Sequence, residues 1–172
     1  MIKTEAIVLK KKQLLGQDTF LTLLTKEHGK VFVVAKGIKK LTSRRSPHIQ
    51  TANLIEIILH ESNDMYYLQE TRLISGFIQV KKDDIKVKNM YALFFILDRL
   101  LPERQREDEI YVMTKSYLVD LAKTKITNLG LFTVYLQKTL QTLGYIHESR
   151  PLEDLINTTE GIINEKIPLD II

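Results

Sequence analysis

Residues 20–36 read FLTLLTKEHGKVFVVAK. Its two halves, residues 20–25 and 30–35, are rich in β-branched and aromatic side chains, which favour extended backbone. Between them stands Lys26-Glu27-His28-Gly29, a polar link whose glycine can take the positive φ that a hairpin turn needs. The stretch is therefore a predicted hairpin, and it organises what lies on either side. Upstream, residues 2–10 form a further predicted strand around Ile7 and Val8. Downstream, residues 54–59 and 65–68 flank Glu61-Ser62-Asn63-Asp64, a second polar turn. Five short strands within about 75 residues suit a small closed or nearly closed barrel. One connection is long, residues 37–52, and loops of that length in compact domains are usually functional or mobile.

Positive charge collects in the same region. Residues 28–55 hold Lys30, Lys36, Lys39, Lys40, Arg44 and Arg45 and not one carboxylate. Like charges without a local counter-charge repel one another, so the stretch gains by meeting an external polyanion. A phosphate backbone is the commonest such partner, because neutralising it releases condensed counterions. A solvated loop that aids solubility is the other reading of the same residues. The net charge of +4 is unevenly placed: residues 1–78 carry 12 Lys/Arg against 7 Asp/Glu, and residues 79–172 carry 13 against 14.

Beyond residue 80 the apolar period changes to that of a helix. Asp83 or Asp84 can cap a helix running to residue 101, which Pro102 stops. Its second half is apolar on nearly every side (Tyr91, Leu93, Phe94, Phe95, Ile96, Leu97, Leu100), the mark of a helix at the centre of its domain. A helix over residues 107–122 aligns Ile110, Met113, Tyr117, Leu118 and Leu121 on one face. Another, over 129–143, is capped by Thr127 or Asn128 and closed by Gly144; it aligns Leu129, Phe132, Leu136, Leu140 and Leu143. Ser149 and Pro151 open a short fourth helix ending near Asn157. The expected fold class is α+β. A five-stranded barrel occupies residues 1–79, a small all-α helical domain 80–157, and a tail without an assigned structure 158–172.

Several chemistries are excluded. With no cysteine there is no disulfide, thiolate metal site or cysteine nucleophile, and the usage fits a reducing cytosol. His28, His48, His60 and His147 are scattered and share no metal-ligand spacing. The seven glycines form no phosphate-cradling loop. Glu107-Asp108-Glu109 and Asp83-Asp84 stand at predicted helix N-termini, where they meet the helix dipole. The expectation is a non-enzyme without catalytic residues, metal, cofactor or small-molecule substrate. The N-terminus lacks a signal h-region and no uncharged apolar run approaches a membrane span, so a soluble, cytoplasmic protein is expected.

What remains is a binding surface. Small five-stranded barrels bind oligonucleotides across the face of strands 2 and 3 and the neighbouring loops. Cations along the backbone and aromatics under the bases hold a single strand there. Phe20 and Phe32 are the aromatics on those strands; each is either a stacking platform or core. Lys10, Lys11 and Lys12 extend the basic surface or simply solvate a strand end. In the helical half, Tyr91, Phe94, Phe95, Tyr111, Tyr117, Phe132 and Tyr135 either fill the core or leave a groove for a partner's short apolar segment.

The segment EAIVLKKKQLLGQDTFLTLLTKEHGKVFVVAKGIKKLTSR resembles the N-terminal domain of the RecO recombination mediators, through EAIVL, the TKEHGK hairpin, the VAKG strand end and the following SR. YALFFILDRLLPE and LQKTLQTLGY resemble the helical part of the same family, so the likeness runs over residues 1–147. It implies an OB-fold that binds single- and double-stranded DNA, followed by a helical domain. It also implies strand annealing, pairing with RecR, and loading of recombinase onto DNA coated by single-strand binding protein, whose acidic-aromatic C-terminal tail docks on the helical domain. The DNA-binding residues carried across are Lys30, Lys36, Lys39, Lys40, Arg44 and Arg45, to which the strand-face argument adds Lys12 and Phe32. Two departures stand out. LGYIHESRPLED lacks the four-cysteine zinc module that many members carry, and Gln17 stands where the family has an acid. A compact, zinc-free form is expected. An OB-fold RNA-binding protein, or a module that captures an acidic peptide tail, are the alternatives.

Overall fold

The computed structural model describes residues 1–38, 44–125 and 129–168. Its first five elements are strands: β1 (Ile2–Gln13), β2 (Thr19–Thr25), β3 (Gly29–Ala35), β4 (Leu54–Ser62) and β5 (Met65–Ser75). They close into a barrel in the order β1-β2-β3-β5-β4, antiparallel throughout except where β5 meets β3 in parallel at Val33↔Tyr66 and Val34↔Tyr67. The α+β order of barrel and then helices is the one expected from the sequence.

Alternation decides the core. Leu21 and Leu23 of β2, Val31, Val33 and Ala35 of β3, Ile55, Ile57 and Leu59 of β4, and Tyr66 and Leu68 of β5 fill the barrel. Each such aliphatic side chain contributes about 1.5–3 kcal/mol by leaving water. Ile38 and Ile49, from the two ends of the long loop, join the same cluster and so tie the loop to the barrel.

β4 runs on through His60, Glu61 and Ser62, which pair with Tyr67, Tyr66 and Met65, and two more strands outrun their sequence periodicity. β1 continues past a bulge between Val8 and Lys10, so that Lys10–Gln13 pair with Thr22–Thr19. β5 continues to Ser75 along β4 although most of its later side chains are exposed. Both extensions are held by backbone pairing, which leaves no apolar pattern to read.

The chain divides into two compact units: Met1–Gly76 with Pro102–Tyr111, and Phe77–Leu101 with Val112–Ile172. In the first unit, residues 102–111 form a strap on the barrel. Glu103 bridges to Lys30 in parallel fashion, and the Arg104 amide donates to the Lys30 carbonyl at 2.7 Å. The Arg104 guanidinium reaches Glu61 Oε1 at 2.7 Å and lies 4.5 Å from the Tyr66 ring centroid. The Tyr111 hydroxyl donates to Glu5 Oε1 at 2.5 Å. Burial, and then the Glu5 carboxylate, raise the Tyr111 hydroxyl far above the ordinary phenol range.

The helices are α1 (Ile78–Lys81), α2 (Asp84–Leu100), α3 (Asp108–Lys123), α4 (Gly130–Thr142) and α5 (Leu152–Ile163). Asp83 caps α2, its carboxylate accepting from the Ile85 and Lys86 amides at 3.0 Å. Within the second unit α2 is buried on most of its circumference, as its all-round apolar pattern requires. The expected caps Thr127 and Asn128 of α4 lie outside the described residues. α5 runs beyond Asn157 to Ile163 and is closed by Asn164 at φ 55°. Thr159 weakens the local helical pattern, yet it is fully buried with its hydroxyl on the Leu155 carbonyl at 2.7 Å.

Candidate nucleic-acid interface

Strand register assembles a row of outward side chains that is discontinuous in sequence. Lys12 of β1 pairs with Phe20 of β2, Phe20 with Val34 of β3, Val34 with Tyr67 of β5, and Tyr67 with His60 of β4. Phe32, two residues before Val34, faces the same way. Its ring stacks on Phe20 with centroids 5.5 Å apart and planes at 29°. Both rings are only partly buried and neither belongs to the barrel core.

The cations divide. Lys12, Lys36 and Arg44 are exposed. Among the described residues, Lys12, Lys36, Arg44 and Arg45 make no ion pair. Lys36 sets its Nζ 4.6 Å from the Tyr67 ring centroid. Lys30 differs from these: it is 7% exposed, with its Nζ 5.6 Å from the Phe32 centroid. Lys39 and Lys40 lie outside the described residues. No carboxylate occurs between His28 and Ile55 to oppose this charge.

Arg45 faces the protein itself. Its guanidinium donates to the Leu68 carbonyl at 2.8 Å, the Gln69 carbonyl at 3.5 Å and the Lys36 carbonyl at 2.8 Å. One side chain thus ties the loop to the end of β3 and to β5. His48 Nδ1 with Thr71 Oγ1 at 2.8 Å, and the Asn53 amide donating to the Pro47 and His48 carbonyls, hold residues 47–53. At the loop's start the Gly37 amide donates to Asp18 Oδ1 at 2.9 Å. Arg44→Ala and Arg45→Ala should therefore behave differently. The second should lower stability by about 1–2 kcal/mol, because it removes charge-assisted bonds to carbonyls. The first should leave stability within about 0.5 kcal/mol of the parent. Paired urea melts check this; equal melts would show that Arg45 does not hold the loop.

Sequence reasoning missed Tyr67 and His60, because the parallel β3–β5 pairing is what carries β5, and β4 with it, to the row of Phe20; it also missed Val34, which the β2–β3 hairpin sets opposite Phe20. Of the seven helical aromatics, Phe94, Tyr111, Tyr117, Phe132 and Tyr135 are buried, whereas Tyr91 is exposed and Phe95 partly so, under the Arg99 guanidinium at 4.1 Å. Among the described residues no group of three His, Asp or Glu side chains is placed to hold a metal ion, and no helix is long and apolar enough to cross a membrane.

A five-stranded barrel closed through a parallel β3–β5 pair, with the stacked Phe20 and Phe32 on its β2–β3 face, defines an OB-type barrel. Residues 1–77 match the family model described as Recombination protein O N terminal. The DNA repair protein RecO of Caldanaerobacter subterraneus subsp. tengcongensis is 30% identical over 146 residues, covering 84% of this chain and 59% of that protein. That of a Thermoanaerobacter species is 30% identical over 85% of this chain and 59% of its own length. That of Chlorobium limicola is 24% identical over 84% and 56%. Residues 1–77 belong to the RecO N-terminal domain family, and the chain spans less than two thirds of the length of these relatives.

Proposed function

We propose that the chain is a DNA-binding recombination mediator acting in DNA repair, which holds single-stranded DNA across the outer face of β2, β3 and β5. The observation that carries this reading is the stacked Phe20–Phe32 pair flanked by Lys12 and Lys36, beside a loop with no carboxylate. Stacked aromatics accept bases of any identity, and unpaired cations accept the backbone between them. Family membership supports the wider role: annealing of complementary strands, loading of recombinase on DNA coated by single-strand binding protein, capture of that protein's C-terminal tail by the helical unit, and pairing with RecR. Duplex DNA can use the same cations through its phosphates.

The expected contacts are Lys12, Lys36, Lys39, Lys40 and Arg44. Lys30 is nearly buried and Arg45 is engaged with carbonyls, so both act chiefly in shaping the site. Five phosphate contacts on a single strand give a log K against log salt slope of about −3.5, from about −0.7 each. A titration of a labelled single strand across a salt series measures it, and a flat dependence defeats the phosphate role. In the same series an RNA oligonucleotide and an acidic peptide serve as competitors. Stronger competition by either would move the assignment to that ligand. A strand-annealing assay on DNA precoated with single-strand binding protein tests the mediator role.

A further inference from the structure

Next to the stacked pair, the end of β3 and the β4–β5 hairpin enclose a cleft of about 530 Å³. Lys36, Arg45, His60, Asn63, Tyr67 and Gln69 are among the residues that line it. Its contents are of two kinds. Tyr67 offers a half-exposed aromatic face, and Lys36 lies across that face with its Nζ 4.6 Å from the ring centroid. Apart from Leu68, the other walls are polar groups able to donate and accept hydrogen bonds. Arg45, fixed by three carbonyls, gives the cleft a rigid positive wall.

The geometry points to a subsite for one nucleotide of the bound strand: its base stacks on Tyr67, Lys36 moves off the ring onto the adjoining phosphate, and the polar wall meets the base edge. This rests on the DNA-binding reading above and adds to it a position at which one base leaves the run stacked along β2 and β3. The exchange is downhill. An exposed cation–π contact is weak, whereas a base on an aromatic ring together with a phosphate on the released ammonium replaces it with two stronger interactions. The register supports continuity, since Tyr67 pairs with Val34 and Val34 with Phe20. A strand crossing the Phe20–Phe32 platform therefore reaches the cleft without leaving the row.

The chain contains no tryptophan, so 2-aminopurine in an oligonucleotide can be excited without interference from the protein. A set of short single strands, each with 2-aminopurine at one position, is titrated with the full 172-residue chain, with Tyr67→Leu and with Tyr67→Phe. The parent and Tyr67→Phe should show one position whose fluorescence changes more than its neighbours. Tyr67→Leu should lose that signal and bind roughly tenfold more weakly, the usual worth of one base–aromatic stack. Its salt slope should stay that of the parent, because a phenol ring neutralises no phosphate. If the parent binds DNA while Tyr67→Leu matches it in affinity and in every fluorescence change, the subsite is wrong and the wider reading stands. If the parent itself binds no single strand, both fall.

Discussion

Gly29→Ala should lose about 2–5 kcal/mol of stability, a large share of the 5–15 kcal/mol typical of a small protein. Two causes add. The residue sits at φ 66°, where an L side chain costs roughly 1–2 kcal/mol. A methyl group there would also stand 1.7 Å from the Gln105 carbonyl oxygen and 2.5 Å from its carbon, both backbone atoms of the strap that cannot swing aside as a flexible side chain would. Relieving that overlap means shifting the strap or the turn, at about 1–3 kcal/mol or more. Gly16→Ala provides the control, because Gly16 has φ 77° but nothing within 4 Å of the added methyl. It should cost about 1–2 kcal/mol, the backbone contribution alone. Urea unfolding of the two variants beside the parent separates the contributions. Equal losses would show that residues 102–106 do not press on the β2–β3 turn.

Removing four basic residues together should produce the largest change in DNA affinity. For the variant with Lys36, Lys39, Lys40 and Arg44 all replaced by alanine, about 0.7 per phosphate over four contacts removes about 2.8 from the salt slope. At about 0.1 M salt that corresponds to a loss of roughly 600-fold, shrinking to under about tenfold at about 0.5 M as both proteins approach their salt-independent affinity. All sequences should suffer alike, because contacts to the backbone carry no sequence information. The loss should leave folding intact, since Lys36 and Arg44 are exposed and, among the described residues, form no ion pair. A loss that keeps its full size at high salt would mean that these residues act through the loop's structure and not through charge.

How far the chain could be read depended on how local each signal was. The β2–β3 hairpin, the cap at Asp83 and the apolar pattern of α2 each lie within one short window, and each stands where its window places it except for the exposed Tyr91. The polar turn before β5 narrows to Asn63-Asp64, because Glu61 and Ser62 pair within β4. The extended ends of β1 and β5 were not legible, because backbone pairing alone sustains them. The last turn of α5 was hidden by Thr159 and Gly161, residues of low helix propensity, of which Thr159 is held by burial. Arg44 and Arg45 are indistinguishable as letters. One is exposed, whereas the other binds three carbonyls drawn from β5 and the end of β3.

Composition and order alone were enough to establish an α+β chain with its positive charge in the barrel half, because hydrophobic period and charge balance are properties of neighbouring residues. Which of those residues face a ligand was decided elsewhere. Closing β3 against β5 carries Tyr67 to the row of Phe20 and turns both phenylalanines outward, while the strap around Arg104 engages Glu61 and covers the ring of Tyr66. Those arrangements depend on contacts between segments remote in sequence, and no local pattern encodes a distance across a closed barrel.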